Sequence, residues 1–239
     1  MIELFLDIIF PQNACCLCQK PGNYWSRKPW CDKCEADLRR IGQEMDHCHK
    51  CGKYLKNGGT ICSECEGGEN PFFISQAVGP YEGCFRKIIK NYKFMGNRRL
   101  SIRMAELMAE TITRIPEYQP IDAVVPVPIS KEGLRERGFN QSELLARRLS
   151  KILKIEHLPH ALHRVKATLP QRELCKEDRE KNLLGAFAVK EKKNVRGKNI
   201  LLVDDVYTTG STAKECAKTL LEAGAMRVCV ITWASGKGY

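Results

Sequence analysis

The feature that most constrains this chain of 239 residues is an apolar run that ends in two carboxylates. The run leads into a loop of hydroxyl residues and glycine. The stretch reads Leu201-Leu-Val-Asp-Asp-Val-Tyr-Thr-Thr-Gly-Ser-Thr212. Residues 200–203 are apolar and partly β-branched, which is typical of a strand buried on both faces of a parallel sheet. Apolar and small residues then follow helical spacing from Ser211 to Ala223. The stretch therefore predicts a strand, a loop over 208–212 and a helix.

The predicted loop suits a phosphate group, because unpaired backbone N–H groups and the positive end of the helix dipole meet hydroxyl side chains there. The loop residues are Thr208, Thr209, Gly210, Ser211 and Thr212. Asp204 and Asp205 would repel a phosphate, so we expect them to face ribose hydroxyls or a bound Mg2+. The pattern predicts a ribose 5-phosphate site. The alternative is that the two acids cap a turn and the loop is merely solvated.

Four Cys-x-x-Cys pairs predict two structural zinc sites. The eight residues are Cys15, Cys18, Cys31, Cys34, Cys48, Cys51, Cys62 and Cys65. Two thiolates separated by two residues reach one tetrahedral Zn2+, so two pairs complete one site. We favour the sequential pairing, while the spacing leaves an interleaved pairing open. Disulfides are the main alternative, and they need an oxidising compartment.

The beginning of the chain shows no export signal. It carries Glu3 and Asp7 and has neither a basic start nor a small-residue cleavage site. No apolar run approaches the length of a membrane span. We therefore expect a cytoplasmic protein with reduced thiols and no membrane insertion.

Length and charge divide the chain into two predicted domains. Residues 1–70 are too few and too polar to form a large core without metal, whereas 71–239 suffice for one α/β domain. Of the net charge of +11, residues 1–75 contribute −1 and the remainder +12. Zinc held by four thiolates adds negative charge to the first domain. That domain is therefore a poor candidate for binding phosphate backbones by charge alone.

A basic segment without acidic residues spans 86–103. Such a segment suits single-stranded nucleic acid. The predicted nucleic-acid contacts are Lys90, Lys93, Arg98 and Arg99. The alternative is a solvated helix face with the aromatic residues packed inward, because Phe85, Ile88 and Tyr92 follow helical spacing. Pyrophosphate is another anion that these cations suit.

The second domain alternates between helices and strands, as an α/β fold does. Predicted strands cover 121–127, 186–189 and 226–232, and predicted helices cover 100–115 and 144–153. Pro126 and Pro128 lack N–H donors, so the chain must leave the sheet there. The planar donors of 135–141 follow that strand, and open α/β sheets bind ligands at the carboxyl ends of strands. The polar segment 166–182 suits a mobile lid.

Residues 204–212 resemble the phosphoribosyl pyrophosphate (PRPP) motif of type I phosphoribosyltransferases. The resemblance implies that Asp204 and Asp205, as the candidate catalytic residues, contact the ribose hydroxyls. It also implies that the loop 208–212 wraps the 5-phosphate and that Mg2+ accompanies PRPP.

Motifs along nearly the whole chain resemble those of the ComF/ComFC (GntX-like) family of bacterial proteins. They are the Cys-x-x-Cys pairs, Tyr92-Lys-Phe-x-Gly96, Val125-Pro-Val-Pro128, Arg135-x-Arg-Gly-Phe-Asn-Gln141, Arg164-x-x-x-Thr-x-x-Gln171, Arg179-x-x-Asn182 and the PRPP motif. The resemblance implies a double zinc ribbon joined to a type I phosphoribosyltransferase-like α/β domain, with a parallel sheet flanked by helices. By position it implies further PRPP-binding residues, namely Pro126, Val127, Pro128, Arg135, Arg137, Asn140, Gln141, Arg179 and Asn182.

For the competence branch of that family, the resemblance implies a cytoplasmic factor for DNA uptake during natural transformation. Its expected ligands are PRPP, or a related ribose phosphate, and single-stranded DNA. Two alternatives stay open: a catalytic phosphoribosyltransferase with an unknown acceptor, and a zinc-ribbon adaptor that docks on DNA-uptake machinery. Residue 2 is Ile2, so the chain lacks the N-terminal cysteine of glutamine-dependent amidophosphoribosyltransferases, and we do not expect that activity.

Overall fold

A computed structural model describes residues 14–21, 28–56, 58–68, 70–166 and 182–238. The helices are α1 (Asp32–Glu44), α2 (Ser63–Glu66), α3 (Gly83–Phe94), α4 (Leu100–Arg114), α5 (Lys131–Arg137), α6 (Gln141–Leu153) and α7 (Ser211–Glu222). The strands are β1 (Tyr54–Leu55), β2 (Ile74–Pro80), β3 (Ala123–Pro126), β4 (Glu156–His157), β5 (Leu162–Arg164), β6 (Phe187–Val189), β7 (Asn199–Tyr207), β8 (Arg227–Ser235) and β9 (Lys237–Gly238).

Five parallel strands form the central sheet, in the order β2-β8-β7-β3-β4. Strand β7 lies in the middle and pairs with β8 on one side and with β3 on the other. Because the strands are parallel, their carboxyl ends share one edge of the sheet. The predicted fold class, a parallel sheet flanked by helices with an N-terminal zinc ribbon, is confirmed.

The side chains of β7 alternate between two core layers. Leu201 and Val203 pack in the layer that holds the apolar faces of α3, α4 and α6. Ile200 and Leu202 pack in the other layer, with α7. The strand is therefore buried on both faces, as its run of apolar residues predicts.

The N-terminal ribbon packs directly onto the sheet. Trp30 is buried, and its ring centroid lies 6.1 Å from that of Trp233 on β8. Gly42 of α1 lies so close to β2 that an added Cβ would overlap the carbonyl oxygen of Val78. At the other end of the ribbon, β1 pairs in parallel with β9. The N-terminal ribbon is thus in direct contact with the C-terminal strands β8 and β9.

Ion pairs between α1 and α4 add to this packing. Arg39 Nη2 donates to Glu110 Oε1 at 2.9 Å, and Arg103 Nε donates to Glu35 Oε2 at 2.8 Å. The hydrogen bonds from Arg103 lower the pKa of Glu35 to about 2. The ribbon helix is therefore held by charged as well as apolar contacts.

Three elements differ from the sequence predictions. Strand β7 continues to Tyr207, so the two acids lie inside it, because its pairing with β8 keeps the backbone extended up to residue 207. The segment predicted as a strand at 186–189 is a strand, β6, but it pairs antiparallel with β5 outside the central sheet. Strand β2 is absent from the sequence predictions.

Two further expectations concern the domain boundary and the lid. The domain boundary at residue 70 stays a prediction, and residues 167–181 of the proposed lid lie outside the described residues. In the described part of the chain, every helix is too short or too polar to cross a bilayer.

We expect Gly42→Ala to separate α1 from β2, because its Cβ would overlap backbone rather than a flexible side chain. The free energy of unfolding of the zinc-loaded protein should fall by about 2 kcal/mol in urea denaturation. Gly68→Ala is the matched control, since its Cβ would lie 3.5 Å from the nearest atom. Equal stability of the two variants would contradict this contact.

Candidate functional site

The two acids at the end of β7 have separate sets of partners. The carboxylate of Asp204 accepts a hydrogen bond from Ser142 Oγ and another from the backbone N–H of Asp205, both at 2.8 Å. The carboxylate of Asp205 accepts one from Lys93 Nζ at 2.7 Å. The partners come from α6 and α3, so three elements meet at this edge of the sheet.

Electrostatics distinguishes the two acids. Burial, and then the negative charge of Asp205, raise the pKa of Asp204 to about 7. Asp205 is only 7% exposed, and the Lys93 side chain that pairs with it is 16% exposed. Near neutral pH the site therefore holds one paired carboxylate beside one that is partly protonated.

The loop after β7 has the backbone geometry of a helix start. Gly210 has φ of +80° and is the residue before α7, which begins at Ser211. Only glycine adopts such a φ without strain. Thr209 Oγ1 lies 2.8 Å from Ser211 Oγ, so the hydroxyls are grouped at the N-terminus of the 12-residue helix. The amides at this end suit an anion.

The segment after β3 reaches the same edge. The N–H of Val127 donates to Val203 of β7 at 2.9 Å, and Asn140 Nδ2 donates to the carbonyl of Val127 at 3.1 Å. Asn140 also caps α6 by accepting from Ser142 N–H at 3.1 Å. Val127 thus bonds both to β7, next to the acid pair, and to the residue that caps α6.

Arginine and glutamine side chains border this segment. Arg137 Nη1 donates to Gln141 Oε1 at 3.0 Å, while its Nε has no hydrogen-bond partner among the described residues. Arg135 is exposed. Of the other two residues proposed by resemblance, Arg179 lies outside the described residues and Asn182 is half-buried at the start of the next described segment.

The basic segment runs along the rim of this site. Lys90 is exposed and Arg99 is partly buried. Arg98 Nη2 donates to the carbonyl of Gly138 at 3.1 Å, and its guanidinium lies 4.8 Å from the ring centroid of Phe139. Lys93 points to Asp205 instead of facing solvent with the others. Of the predicted nucleic-acid residues, Lys93 therefore contacts the acid pair and Arg98 contacts the segment 135–141.

Sequence reasoning missed Ser142 and Tyr92 as parts of the site. Tyr92 is buried, and its hydroxyl donates to the carbonyl of Gln141 at 2.9 Å, which ties α3 to α6. Tyr92 begins one of the motifs quoted above and Ser142 follows another, so the sequence indicated both regions. Their partners, 62 and 49 residues away along the chain, were not indicated.

The eight paired cysteines form two clusters, each with four sulfurs within 4.8 Å of one another. They combine successive pairs, the arrangement that the sequence favours. Sγ atoms are 3.9 Å apart for Cys18 and Cys31 and 3.6 Å apart for Cys51 and Cys62. Tetrahedral zinc with bonds of about 2.3 Å needs sulfurs about 3.8 Å apart, so both clusters fit zinc.

The two clusters have different surroundings. Cys18 of the first cluster is exposed, whereas all four cysteines of the second are buried. The second cluster lies in the same core layer as Tyr207, the last residue of β7. Burial, and then the charges of nearby cysteines led by Cys51, raise the pKa of Tyr207 well above its usual range. The second cluster is therefore a neighbour of the strand that carries the acids.

Comparisons with known proteins agree with this description. The family model "Double zinc ribbon domain" matches residues 5–66. Competence protein F of Haemophilus influenzae is 29% identical over 222 residues, which cover 91% of this chain and 95% of that protein. DNA utilization protein YhgH of Salmonella typhimurium is 30% identical over 223 residues, with the same coverage of 91% and 95%.

A solved structure, glutamine phosphoribosylpyrophosphate amidotransferase from B. subtilis complexed with ADP and GMP, is also similar. It has 18% sequence identity and a TM-score of 0.41. The similarity covers 59% of this chain and 30% of that one.

We expect Asp204→Asn to stabilise the ligand-free protein at alkaline pH. The folded-state pKa of Asp204, about 7, exceeds its ordinary value of 3.8, so the folded state retains a proton that the unfolded chain has lost between these values. The unfolding free energy of the native sequence therefore falls as pH rises from 3.8 to about 7. Asparagine carries no charge and still accepts both hydrogen bonds.

Urea denaturation at pH 4 and pH 8 measures this effect. The variant should match the native protein at pH 4 and exceed its stability by about 2 kcal/mol at pH 8, since one pKa unit corresponds to about 1.4 kcal/mol and water screens the partly exposed carboxylate. Asp37→Asn on α1 is the control and should change little at either pH, because Asp37 is half-exposed and its ion pair with Arg40, at 3.6 Å, lies at the surface. A pH-independent difference would contradict the raised pKa.

Proposed function

This chain belongs to the competence protein F (ComF) family, and on that premise we propose that it is a DNA-uptake factor that binds PRPP or a related ribose 5-phosphate. We place its action in the cytoplasm, during natural transformation, where it also binds single-stranded DNA. The names of its relatives refer to competence and to DNA utilization, which supports this role.

One arrangement carries the proposal: two acids and an amide-rich, hydroxyl-rich loop lie in sequence at the carboxyl edge of a parallel sheet. In open α/β sheets this edge binds ligands. We assign the loop 208–212 to the 5-phosphate, because amides at a helix start bind anions. We assign Asp204 and Asp205 to the ribose hydroxyls, which donate hydrogen bonds to carboxylates.

Cations and backbone near the acid pair suit the pyrophosphate group. Arg137 is half-buried beside α6, with one N–H still unpaired within the described chain. Arg135 is exposed at the same helix. Lys93 offsets the charge of Asp205, so the site is less repulsive to an anion than two bare carboxylates. We assign the backbone of Pro126 to Pro128 to one side of the pyrophosphate site.

The donor set also fits a magnesium ion. Carboxylate oxygens are ligands that Mg2+ prefers, usually together with phosphate oxygens of a substrate. Asp204 and Asp205 are the residues that would hold it, and when bound it supplies positive charge that neutralises pyrophosphate.

Charge supports contact with DNA. The residues after 75 carry +12, and the exposed cations of α3 include Arg86, Lys87 and Lys90. Phosphates of a single strand bind such a face through Coulomb attraction and the release of counterions. Because Lys93 is engaged by Asp205, we assign DNA contact to the exposed cations of α3 rather than to Lys93.

A catalytic phosphoribosyltransferase is the second candidate, favoured by the two adjacent acids near the carboxyl end of β7. In that reaction a nucleophile forms a bond to the anomeric carbon as pyrophosphate leaves with the bonding electrons. The acids would position the ribose during this exchange. Pyrophosphate release across a panel of bases, amines and oligonucleotides distinguishes a catalyst from a binding protein.

We expect PRPP with Mg2+ to bind the zinc-loaded protein in a calorimetric titration. The double substitution Asp204→Asn/Asp205→Asn keeps the side-chain shapes but removes the charged acceptors. Affinity should fall about 100-fold, since hydrogen bonds to charged groups contribute about 1.5–3 kcal/mol each. Asp37→Asn should bind as the native protein does. Unchanged affinity in the double variant would contradict the assignment of the acids.

We expect a labelled single-stranded oligonucleotide to bind in low salt, and Lys87→Glu/Lys90→Glu to weaken this binding at least about tenfold. The control Lys151→Glu/Lys154→Glu makes the same charge change at the far end of α6, where both residues are exposed. Fluorescence anisotropy over a salt series measures both variants. If both double substitutions weakened oligonucleotide binding equally, the assignment of DNA contact to α3 would be contradicted.

A further inference from the structure

The second cysteine cluster lies next to the strand that leads into the phosphate loop. Its four members are buried in the same core layer as Tyr207 and Phe72. The rings of Phe72 and Tyr207 meet edge to face, with centroids 6.2 Å apart and an interplanar angle of 84°. Tyr207 itself is only 3% exposed. Movement of the cluster would therefore be transmitted to this phenol through close packing.

The other side of Tyr207 supports the phosphate loop. A Cβ added to Gly210 would overlap the hydroxyl of Tyr207, so the loop backbone rests on the phenol. The left-handed φ of Gly210 and this close approach both demand glycine. Tyr207 is thus a spacer with the second cluster on one side and the loop on the other.

Hydrogen bonds form a second connection between the second cysteine cluster and the phosphate loop. Gly236 N–H donates to the carbonyl of Tyr207 at 2.7 Å, and the carbonyl of Gly236 accepts from Tyr54 N–H at 3.1 Å. Ser235 Oγ donates to the carbonyl of Gly52 at 2.6 Å. Tyr54 and Gly52 lie between the two cysteine pairs of the second cluster. The ribbon is therefore bonded to the residue that precedes the loop.

The first cluster has no equivalent connection within the described residues. Cys15 packs with Trp30 in the opposite core layer, and Cys18 is exposed. The two zinc sites, which are alike in having four cysteines in two Cys-x-x-Cys pairs, therefore differ in their relation to the ribose-phosphate site. This difference makes the first cluster an internal control for the second.

We propose that zinc in the second cluster and ribose phosphate in the loop bind cooperatively, with Tyr207 as the positioning residue that links them. The proposal rests on the function proposed above. Metal binding at such a site is part of the folding free energy of the surrounding segment, so loss of zinc loosens the support beneath Gly210. Because linkage is reciprocal, ligand in the loop must also stabilise zinc in the second cluster.

Zinc release to a chromogenic chelator from the zinc-loaded full chain tests this linkage, with and without saturating PRPP and Mg2+. Release from the second cluster should slow about tenfold, and release from the first should not change. Cys18→Ser identifies the kinetic phase of the first cluster, because it removes one of its sulfurs at an exposed position. Asp204→Asn/Asp205→Asn controls for any chelation of zinc by PRPP itself.

Tyr207→Phe tests the role of the phenol. The ring still packs against Phe72, so the variant should retain two zinc ions, but the hydroxyl beneath Gly210 is lost. We expect the effect of PRPP on zinc release to fall below about threefold. A full effect in this variant would exclude Tyr207 as the link.

The outcomes separate the two proposals. PRPP that binds in calorimetry and leaves release from the second cluster unchanged, or slows both clusters equally, contradicts the linkage alone. Absence of PRPP binding to the native protein contradicts the proposed function together with the linkage.

Discussion

Repulsion between the adjacent carboxylates of Asp204 and Asp205 is the constraint around which this site is built. Asp205 is buried and Asp204 is half-buried, so two adjacent negative charges there are costly without partners. Ser142 from α6 and Lys93 from α3 supply these partners. The Tyr92 hydroxyl then joins α3 to α6 at Gln141. Each acid is thus bonded to a different helix, Asp204 to α6 and Asp205 to α3.

The zinc ribbon is part of this construction. A segment of its size cannot bury much apolar surface alone, and metal ions compensate for that deficit. Here the ribbon also occupies surface of the α/β unit: Trp30 packs beside Trp233, and β1 pairs with β9. Its two cysteine clusters lie in different core layers, one on each face of the sheet. The ribbon and the sheet therefore stabilise each other.

Local patterns carried most of what the sequence predicted. The run from Ile200, the glycine at 210 and the spacing of the cysteines each specify structure within a few neighbouring residues, and each indicated the correct element type. Contacts between distant residues were less accessible. The prediction of Lys93 as a nucleic-acid contact rests on charge density along the chain, which does not report that it faces a carboxylate 112 residues away. Strand β2 was missed because its polar Ser75 and Gln76, both buried, interrupt the apolar pattern.

A crystal structure of the zinc-loaded protein with PRPP and Mg2+ would show whether the loop after β7 holds the ribose phosphate. We expect density for the 5-phosphate at the amides of 208–212 and for the ribose hydroxyls beside Asp204 and Asp205. We also expect Tyr207 in place beneath Gly210. Density for the ligand on the basic face of α3, with the loop empty, would contradict this assignment.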